Sequence, residues 1–331
     1  MTKTLATPPV HRPLWQRLLL RRLKFLAIIA VLAIVLLGGS YLVAPQWLMQ
    51  ADDWRKAAQA HVEKHQLTAG DTTWSYYEGG DGPVLVLLHG FDADKTLWLD
   101  VATQLTAHFH VIIPDLPGWG ESTRIEGASY NVDVQAQRLQ AFVEAKGLKG
   151  FVLVGHSMGG AIAGVYAAEH PEHVAGLALL DALGLKFKEN AFAREALTGS
   201  NPFVYDDRAG FEKVLSLVFT KPPSVPGRFI DVLVDRNKHD RAYLQKTFIE
   251  LRDPSQSLAI QNRLDQLTMP VLGLWCLNDK VIDISAQDSL RKGLAHARSI
   301  STTTLIGCDH MPMLEKPEET ARVLANFTLS H

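Results

Sequence analysis

The chain has 331 residues, 47% of them hydrophobic and 21% charged, with a formal net charge of −2. That length holds one large domain or two small ones around a sizeable core, and a charge so near balance offers nothing to attract nucleic acid or another polyanion. Two cysteines exclude a disulfide-rich scaffold, and no Cys-x-x-Cys or Cys/His cluster suggests a metal.

The first element departs from this ordinary composition. Phe25 to Ala44 carries no charge and is nearly all Leu, Ile, Val and Ala. About twenty such residues, rising 1.5 Å each, cross a ~30 Å hydrocarbon layer. Arg12, Arg17, Arg21, Arg22 and Lys24 precede the stretch, and Asp52 and Asp53 follow it. Positive flanks stay in the cytoplasm, so the N-terminus is expected inside and the remainder outside, with Tyr41 and Trp47 at the far interface. A cleaved signal peptide would have a shorter apolar core and a better small-x-small site than Val43-Ala44-Pro45. A buried core helix fits neither the length nor the basic flank. The expectation is an uncleaved single-span anchor, with Leu14 to Leu20 continuing as a basic amphipathic helix along the inner leaflet.

Gln50 to about His65 reads as a polar linking helix, and Trp74 to Glu78 as a strand before the turn Gly79-Gly80-Asp81-Gly82-Pro83. Val84 to Leu88 is an unbroken apolar run, the mark of a strand covered on both faces; His89-Gly90-Phe91-Asp92 follows. Next come a helix from about Thr96 to His108, a strand His110 to Ile113, and a helix from about Val132 to Lys146. Phe151 to Val154 is again a buried strand, with a small-residue helix from Gly159 to about Glu169 and a strand Val174 to Leu180. From about Leu183 to Thr268 the chain is helical in character and shows no buried strand run. The alternation resumes with Val271 to Trp275, a helix Ser285 to His296, a strand Thr303 to Ile306 and a helix Pro317 to Leu329. Strand–loop–helix repetition implies a doubly wound, mostly parallel sheet whose ligands bind at the carboxyl ends of the strands.

One such end carries Gly155-His156-Ser157-Met158-Gly159-Gly160 between strand and helix. A serine held on so sharp a turn needs glycines around it, because strand and helix must close on each other. A nucleophilic serine also needs a base and an orienting carboxylate, in the chain order Ser, Asp or Glu, His. Asp279 stands on the loop after Val271–Trp275, and His310 on the loop after the last strand. Asp181 and Asp283 are the rival acids. Asp115 is expected to fix its own loop, and His156 is more in keeping with packing than with the base. The backbone N–H groups of Met158 and Phe91 are the expected oxyanion donors, each worth ~3 kcal/mol to a transition state; His89, Gly90 and His156 are further candidates to touch substrate.

These motifs, together with Asp115-Leu116-Pro117-Gly118-Trp119-Gly120, Asn278-Asp279 and Asp309-His310, are similar to the signature set of the α/β-hydrolase fold family. Within that family the chain resembles membrane-anchored monoacylglycerol lipases and bacterial lipase/esterase relatives. The supporting stretches are Ala163 to Ala168, Leu233-Val234-Asp235-Arg236 and Phe248-Ile249-Glu250, and the likeness runs from about Trp74 to the end. It implies a basic cytoplasmic segment over 1–24, an anchor over 25–44, a linker and helix over 45–72, and an extracytoplasmic hydrolase domain over 73–331 (periplasmic if bacterial) with a helical cap over about 183–268. The implied activity is hydrolysis of a lipid ester such as a monoacylglycerol at the bilayer, with Ser157, Asp279 and His310 as triad, no cofactor, no metal and no obligate protein partner. The alternatives are a small-ester or carbon–carbon hydrolase using the same triad and, further off, a non-catalytic membrane-bound binding protein. The family usually has Gly before the base where this chain has Asp309, whose side chain is expected to face solvent; turned inward, it would raise the imidazole's pKa. Cys276 and Cys308 each follow a strand leading to one of these loops. They are either a disulfide tying the loops, feasible outside the cytoplasm, or two buried thiols.

Overall fold

A computed structural model describes residues 13–331. Residues 1–12 of the basic segment, Arg12 among them, lie outside the described residues. The chain divides after Ala51 into two units.

In the first, α1 (Leu14–Val43) is one unbroken helix that takes in both the basic Leu14–Leu20 stretch and the apolar run. No proline or acidic residue interrupts it, and at 1.5 Å per residue it is ~45 Å long. It is long and apolar enough to cross a bilayer, and none of its side chains is buried within the protein. The helix α2 (Pro45–Gln59) follows and contains the division after Ala51.

The second unit is built on an eight-stranded sheet. Its strands are β1 (Glu63–Ala69), β2 (Thr72–Gly79), β3 (Val84–Leu88), β4 (His110–Pro114), β5 (Phe151–His156), β6 (Val174–Leu180), β7 (Val271–Cys276) and β8 (Ile300–Leu305). Their order is β1-β2-β4-β3-β5-β6-β7-β8, antiparallel for the β1–β2 and β2–β4 pairs and parallel beyond. The linking helix expected to reach His65 therefore stops at Gln59, and β1 takes its last residues. Glu63-Lys64-His65-Gln66 has no apolar alternation, because β1 is an exposed edge strand whose register comes from β2, with Leu67 opposite Trp74. Charges on such an edge discourage pairing with other chains.

The helices cover both faces of the sheet. A 3₁₀ turn (Lys95–Trp98) leads into α3 (Leu99–Leu105); α4 (Val132–Lys146) and α5 (Met158–Glu169) follow β4 and β5. Along β3 the side chains alternate: Val86 and Leu88 join one core with Leu139 and Phe142 of α4, while Leu85 and Leu87 join the other with Leu99 of α3. Each fully buried Leu or Val contributes about 1.5–3 kcal/mol, which is why these runs carry no polar residue.

Between β6 and β7 the chain leaves the sheet for α6 (Ala191–Leu197), α7 (Arg208–Val218), α8 (Gly227–Arg252), α9 (Pro254–Ser257) and a 3₁₀ turn (Gln261–Gln266), the helical insertion that the sequence implies. The α10 helix (Ala286–Gly293) precedes β8, which starts three residues earlier than expected, and α11 (Pro312–Glu315) and α12 (Pro317–Leu329) close the chain. The polar Ile300-Ser301-Thr302 concealed the start of β8; like β1 it is an edge strand, and its early residues are exposed or half-buried. Cys276 and Cys308 form a disulfide, with Cα atoms 5.3 Å apart.

Candidate active site

Ser157 sits between β5 and α5 with φ 52° and ψ −120°, a conformation that a non-glycine residue holds only when its surroundings enforce it. Its carbonyl accepts from the N–H groups of Gly160, Ala161 and Leu183, and its own N–H donates to Leu180. The flanking glycines are steric requirements. A Cβ at Gly155 would lie 2.3 Å from the Gly159 carbonyl oxygen, and one at Gly159 would lie 2.3 Å from that of His89.

From this turn a line of contacts runs across three strand ends. Ser157 Oγ lies 3.0 Å from His310 Nε2, and His310 Nδ1 lies 3.0 and 3.1 Å from the two oxygens of Asp279. Asp279 is held in turn by the N–H groups of Val281 (2.7 Å) and Ile282 (3.0 Å), which donate to Oδ1. The imidazole and carboxylate are almost wholly buried. With Nδ1–H donated to the carboxylate, Nε2 offers its lone pair to the serine hydroxyl, the arrangement needed to remove that proton. Asp283 is not part of this line, since its Oδ1 accepts from Ser285 N–H.

Phe91, Ser157 and Met158 share the wall of a cavity of about 310 Å³. Neither Phe91 nor Met158 N–H donates to a backbone carbonyl of the described residues. Met158 is the first residue of α5, where unpaired N–H groups and the helix dipole favour negative charge. Most of the lining is apolar, from Leu183 and Leu185 at the end of β6 through Phe187, Phe192, Phe203 and Phe248 of the insertion. Lys186, Glu189 and Arg252 also border the cavity.

Residues 83–317 match the model of the alpha/beta hydrolase fold. The chain belongs to the α/β-hydrolase fold family. It is 31% identical to human monoacylglycerol lipase ABHD6 over 316 residues, covering 91% of this chain and 92% of that protein. Lipase 1 of Psychrobacter immobilis is 30% identical, with 81% and 84% covered. Among solved structures, a membrane phospholipase A described as a bacterial virulence factor superposes with a TM-score of 0.81 at 33% identity, covering 93% of this chain and 98% of that one. The protein is an ester hydrolase, and its relatives place it with those acting on lipids.

The surroundings of the hydrolase site depart from the sequence reading at several points. Asp309 faces inward rather than toward solvent. Its Oδ1 accepts from the N–H groups of Lys280 (2.9 Å) and His310 (3.0 Å), and its Oδ2 lies 2.5 Å from Lys280 Nζ. Burial raises its pKa and the Lys280 ammonium opposes that rise, so the two form a neutral pair joining acid loop to base loop. The cysteine pair signals only that the two loops run side by side, as the β7–β8 register has them with Cys276 opposite Leu305, and says nothing of which way Asp309 turns.

His89 and His156, the further candidates to touch substrate, are not among the residues lining the cavity, and each is hydrogen-bonded to backbone. His89 Nε2 accepts from Leu116 N–H (3.0 Å), and its Nδ1 lies 2.8 Å from the Gly90 carbonyl oxygen. His156 Nε2–H donates to the His310 carbonyl (2.7 Å), anchoring the backbone that carries His310. Burial pushes both imidazoles below their usual pKa, and the neighbouring His310 adds to the effect at His156. Gly90 lies against the elbow, where a Cβ would come 3.0 Å from that of Ser157.

Asp115 fixes its own loop as expected. Its carboxylate accepts from Lys95 N–H and Glu121 N–H and pairs with the buried Lys95 ammonium at 2.5 Å. Asp181 ends β6 fully buried; its Oδ1 accepts from Cys276 N–H (2.9 Å), and its Oδ2 meets no hydrogen-bond partner among the described residues. Burial, followed by the charge of nearby Asp279, raises its pKa well above the usual carboxylate range and favours the protonated form.

Proposed function

We propose that the protein hydrolyses monoacylglycerols and related single-chain lipid esters through an acyl-enzyme on Ser157, while tethered to a bilayer by α1. The observation that carries this reading is the line Ser157–His310–Asp279 opening on an apolar cavity. Ser157 Oγ attacks the ester carbonyl as His310 Nε2 takes its proton, and Asp279 stabilises the imidazolium that forms. The N–H groups of Phe91 and Met158 receive the negative charge that develops on the carbonyl oxygen. His310 returns the proton to the departing glycerol oxygen, then activates the water that releases the fatty acid. The phenylalanines of the insertion, acting as a cap, suit an alkyl chain in the cavity. A small soluble substrate would give α1 no role.

Topology follows from the same elements. Arg17, Arg21, Arg22 and Lys24 hold the N-terminal end of α1 in the cytoplasm, and the Cys276–Cys308 disulfide suits a catalytic domain on the oxidising side.

The test is fatty-acid release by the detergent-solubilised full chain from monoacylglycerols of graded length, a lysophospholipid, a short water-soluble ester and a diketone. Turnover highest on monoacylglycerols, absent in Ser157→Ala together with fluorophosphonate labelling, is the expected result. Undiminished labelling of Ser157→Ala would overturn the nucleophile, and cleavage of the diketone alone would overturn the substrate class. A periplasm-dependent reporter fused after His331 should be active in a bacterial host, and a silent one would reverse the orientation.

A further inference from the structure

At the end of α5 remote from Ser157, the chain turns into β6 through His170-Pro171-Glu172-His173. His170 Nδ1, Glu172 Oε1 and His173 Nε2 all lie within 4.8 Å of one another. Oε1 is 3.9 Å from the first nitrogen and 3.7 Å from the second, and the two rings are parallel to within 12°. We propose that this turn is a binding site for a divalent transition-metal ion of the Zn²⁺ class, ligated by His170, Glu172 and His173 with water in the fourth position.

Four observations beyond the convergence support an ion. His173 Nδ1 lies 2.9 Å from the Tyr166 hydroxyl. A metal-bound imidazole needs a partner for its other ring nitrogen, and a phenol oxygen has lone pairs to offer one. Its oxygen can therefore accept Nδ1–H and leave the Nε2 lone pair for the ion. Second, His170 caps the C-terminus of α5, where the helix dipole favours a cation. Third, Glu172 has no Lys or Arg partner within 4.0 Å among the described residues, whereas neighbouring Glu169 is met by Arg263. Fourth, the backbone is already fixed: His173 N–H donates to the His170 carbonyl, and the His173 carbonyl accepts from Gly150 and Phe151. Ordering the turn on binding therefore costs little conformational freedom.

The geometry needs closure by side-chain rotation. Ligands ~2.0–2.1 Å from a tetrahedral ion stand roughly 3.4 Å apart; the exposed Glu172 side chain is free to move a few tenths of an ångström toward each nitrogen, and rotation of the two half-buried imidazoles closes the gap between their nitrogens, which are at most 4.8 Å apart. Two imidazoles and one carboxylate suit Zn²⁺ and its neighbours, whereas Mg²⁺ and Ca²⁺ prefer all-oxygen shells. The twelve residues of α5 put the turn ~18 Å from Ser157, so an ion there would fasten α5 to β6 and take no part in the chemistry. The sequence expectation of no metal site rested on the lack of a Cys/His cluster and gave no weight to a His-x-x-His pair in a turn.

The experiment is calorimetric titration of the tag-free full chain in detergent with ZnCl₂ at pH 7.5, beside His170→Ala, His173→Ala and the exposed, fold-neutral Glu172→Gln. Esterase turnover serves as the folding control. One equivalent should bind the wild type, each variant should weaken it at least ten-fold, and Zn²⁺ should raise the thermal midpoint of the wild type alone. Absence of binding would overturn the proposal. Affinity unchanged in all three variants would also overturn it, placing the ion on others of the 13 histidines.

Discussion

Asp92 follows the proposed oxyanion donor Phe91 in the chain and carries a charge that the fold resists. Its backbone has φ 52°, and its Oδ2 accepts from Asn237 Nδ2 of α8 at 3.4 Å. Burial, with a contribution from Asp240 and against the pull of Arg236, raises its pKa to about 7. In the unfolded chain the same group titrates near 3.9. Between these values the folded state keeps a proton that the unfolded state has released, so stability falls as pH rises from about 4 to about 7 and is level on either side. Three units at 1.36 kcal/mol each give about 4 kcal/mol as a ceiling; the side chain is only half-buried, and screening by water reduces this to roughly 2–4 kcal/mol. Asp92→Asn keeps the shape and an oxygen for Asn237 but cannot ionise. Thermal unfolding of both full-length proteins in detergent, followed by circular dichroism from pH 4 to 8, isolates the term because all other titrations are common to both. The midpoints should coincide at pH 4 and diverge by about 5–15 °C in favour of the variant at pH 8, at ~2–4 °C per kcal/mol for a domain of this size. A separation that does not change with pH would refute the assignment.

Further perturbations probe the buried charges and the disulfide. Asp181→Asn should retain turnover within a few-fold, because a neutral amide reproduces a protonated carboxyl, while Asp279→Asn should lower kcat by about 10⁴; equal losses would mean that Asp181 is ionised and shares the orienting role. Lys95→Met leaves the buried Asp115 carboxylate without its ammonium and should cost about 3–5 kcal/mol in urea unfolding, with Lys95→Met/Asp115→Asn recovering part of it. Reducing Cys276–Cys308, whose partners are 32 residues apart, should lower stability by about 3–4 kcal/mol; an unchanged thermal midpoint under reductant would contradict that.

The sheet's interior was legible because a strand covered on both faces can hold only apolar residues: β3, β5, β6 and β7 fall where Val84, Phe151, Val174 and Val271 begin their runs. The edges were not. β1 and the start of β8 are polar and exposed, so their extended form is set by pairing with β2 and β7 and leaves no period in the sequence. The motifs at the strand ends were readable for the same reason as the strands, since a loop's position follows once its strand is known. The inward turn of Asp309 was hidden, because whether a carboxylate faces water or protein depends on Lys280, a residue of another loop.

That pairing explains how His310 can be placed accurately on a loop that follows an edge strand. β8 has a neighbour on one side only, so the sheet alone fixes His310 less firmly than it fixes Ser157. Four further ties make up the difference. The disulfide joins the loops after β7 and β8, Lys280 and Asp309 join them again, and His156 holds the His310 carbonyl. Glu315 of α11 takes the Asp309 N–H with one oxygen and the N–H groups of Thr220 and Lys221 with the other, binding the base loop to the helical insertion. The His310–Asp279 pair is thus fastened from the sheet, the neighbouring loop and the helical insertion. Loosening any one of them should lower kcat more than it raises KM, because it displaces Nε2 from Ser157 while leaving the phenylalanines in place. Glu315→Gln is the sharpest case: it lies outside the cavity lining, and an effect confined to KM would show that the insertion's contact with the base loop governs binding alone.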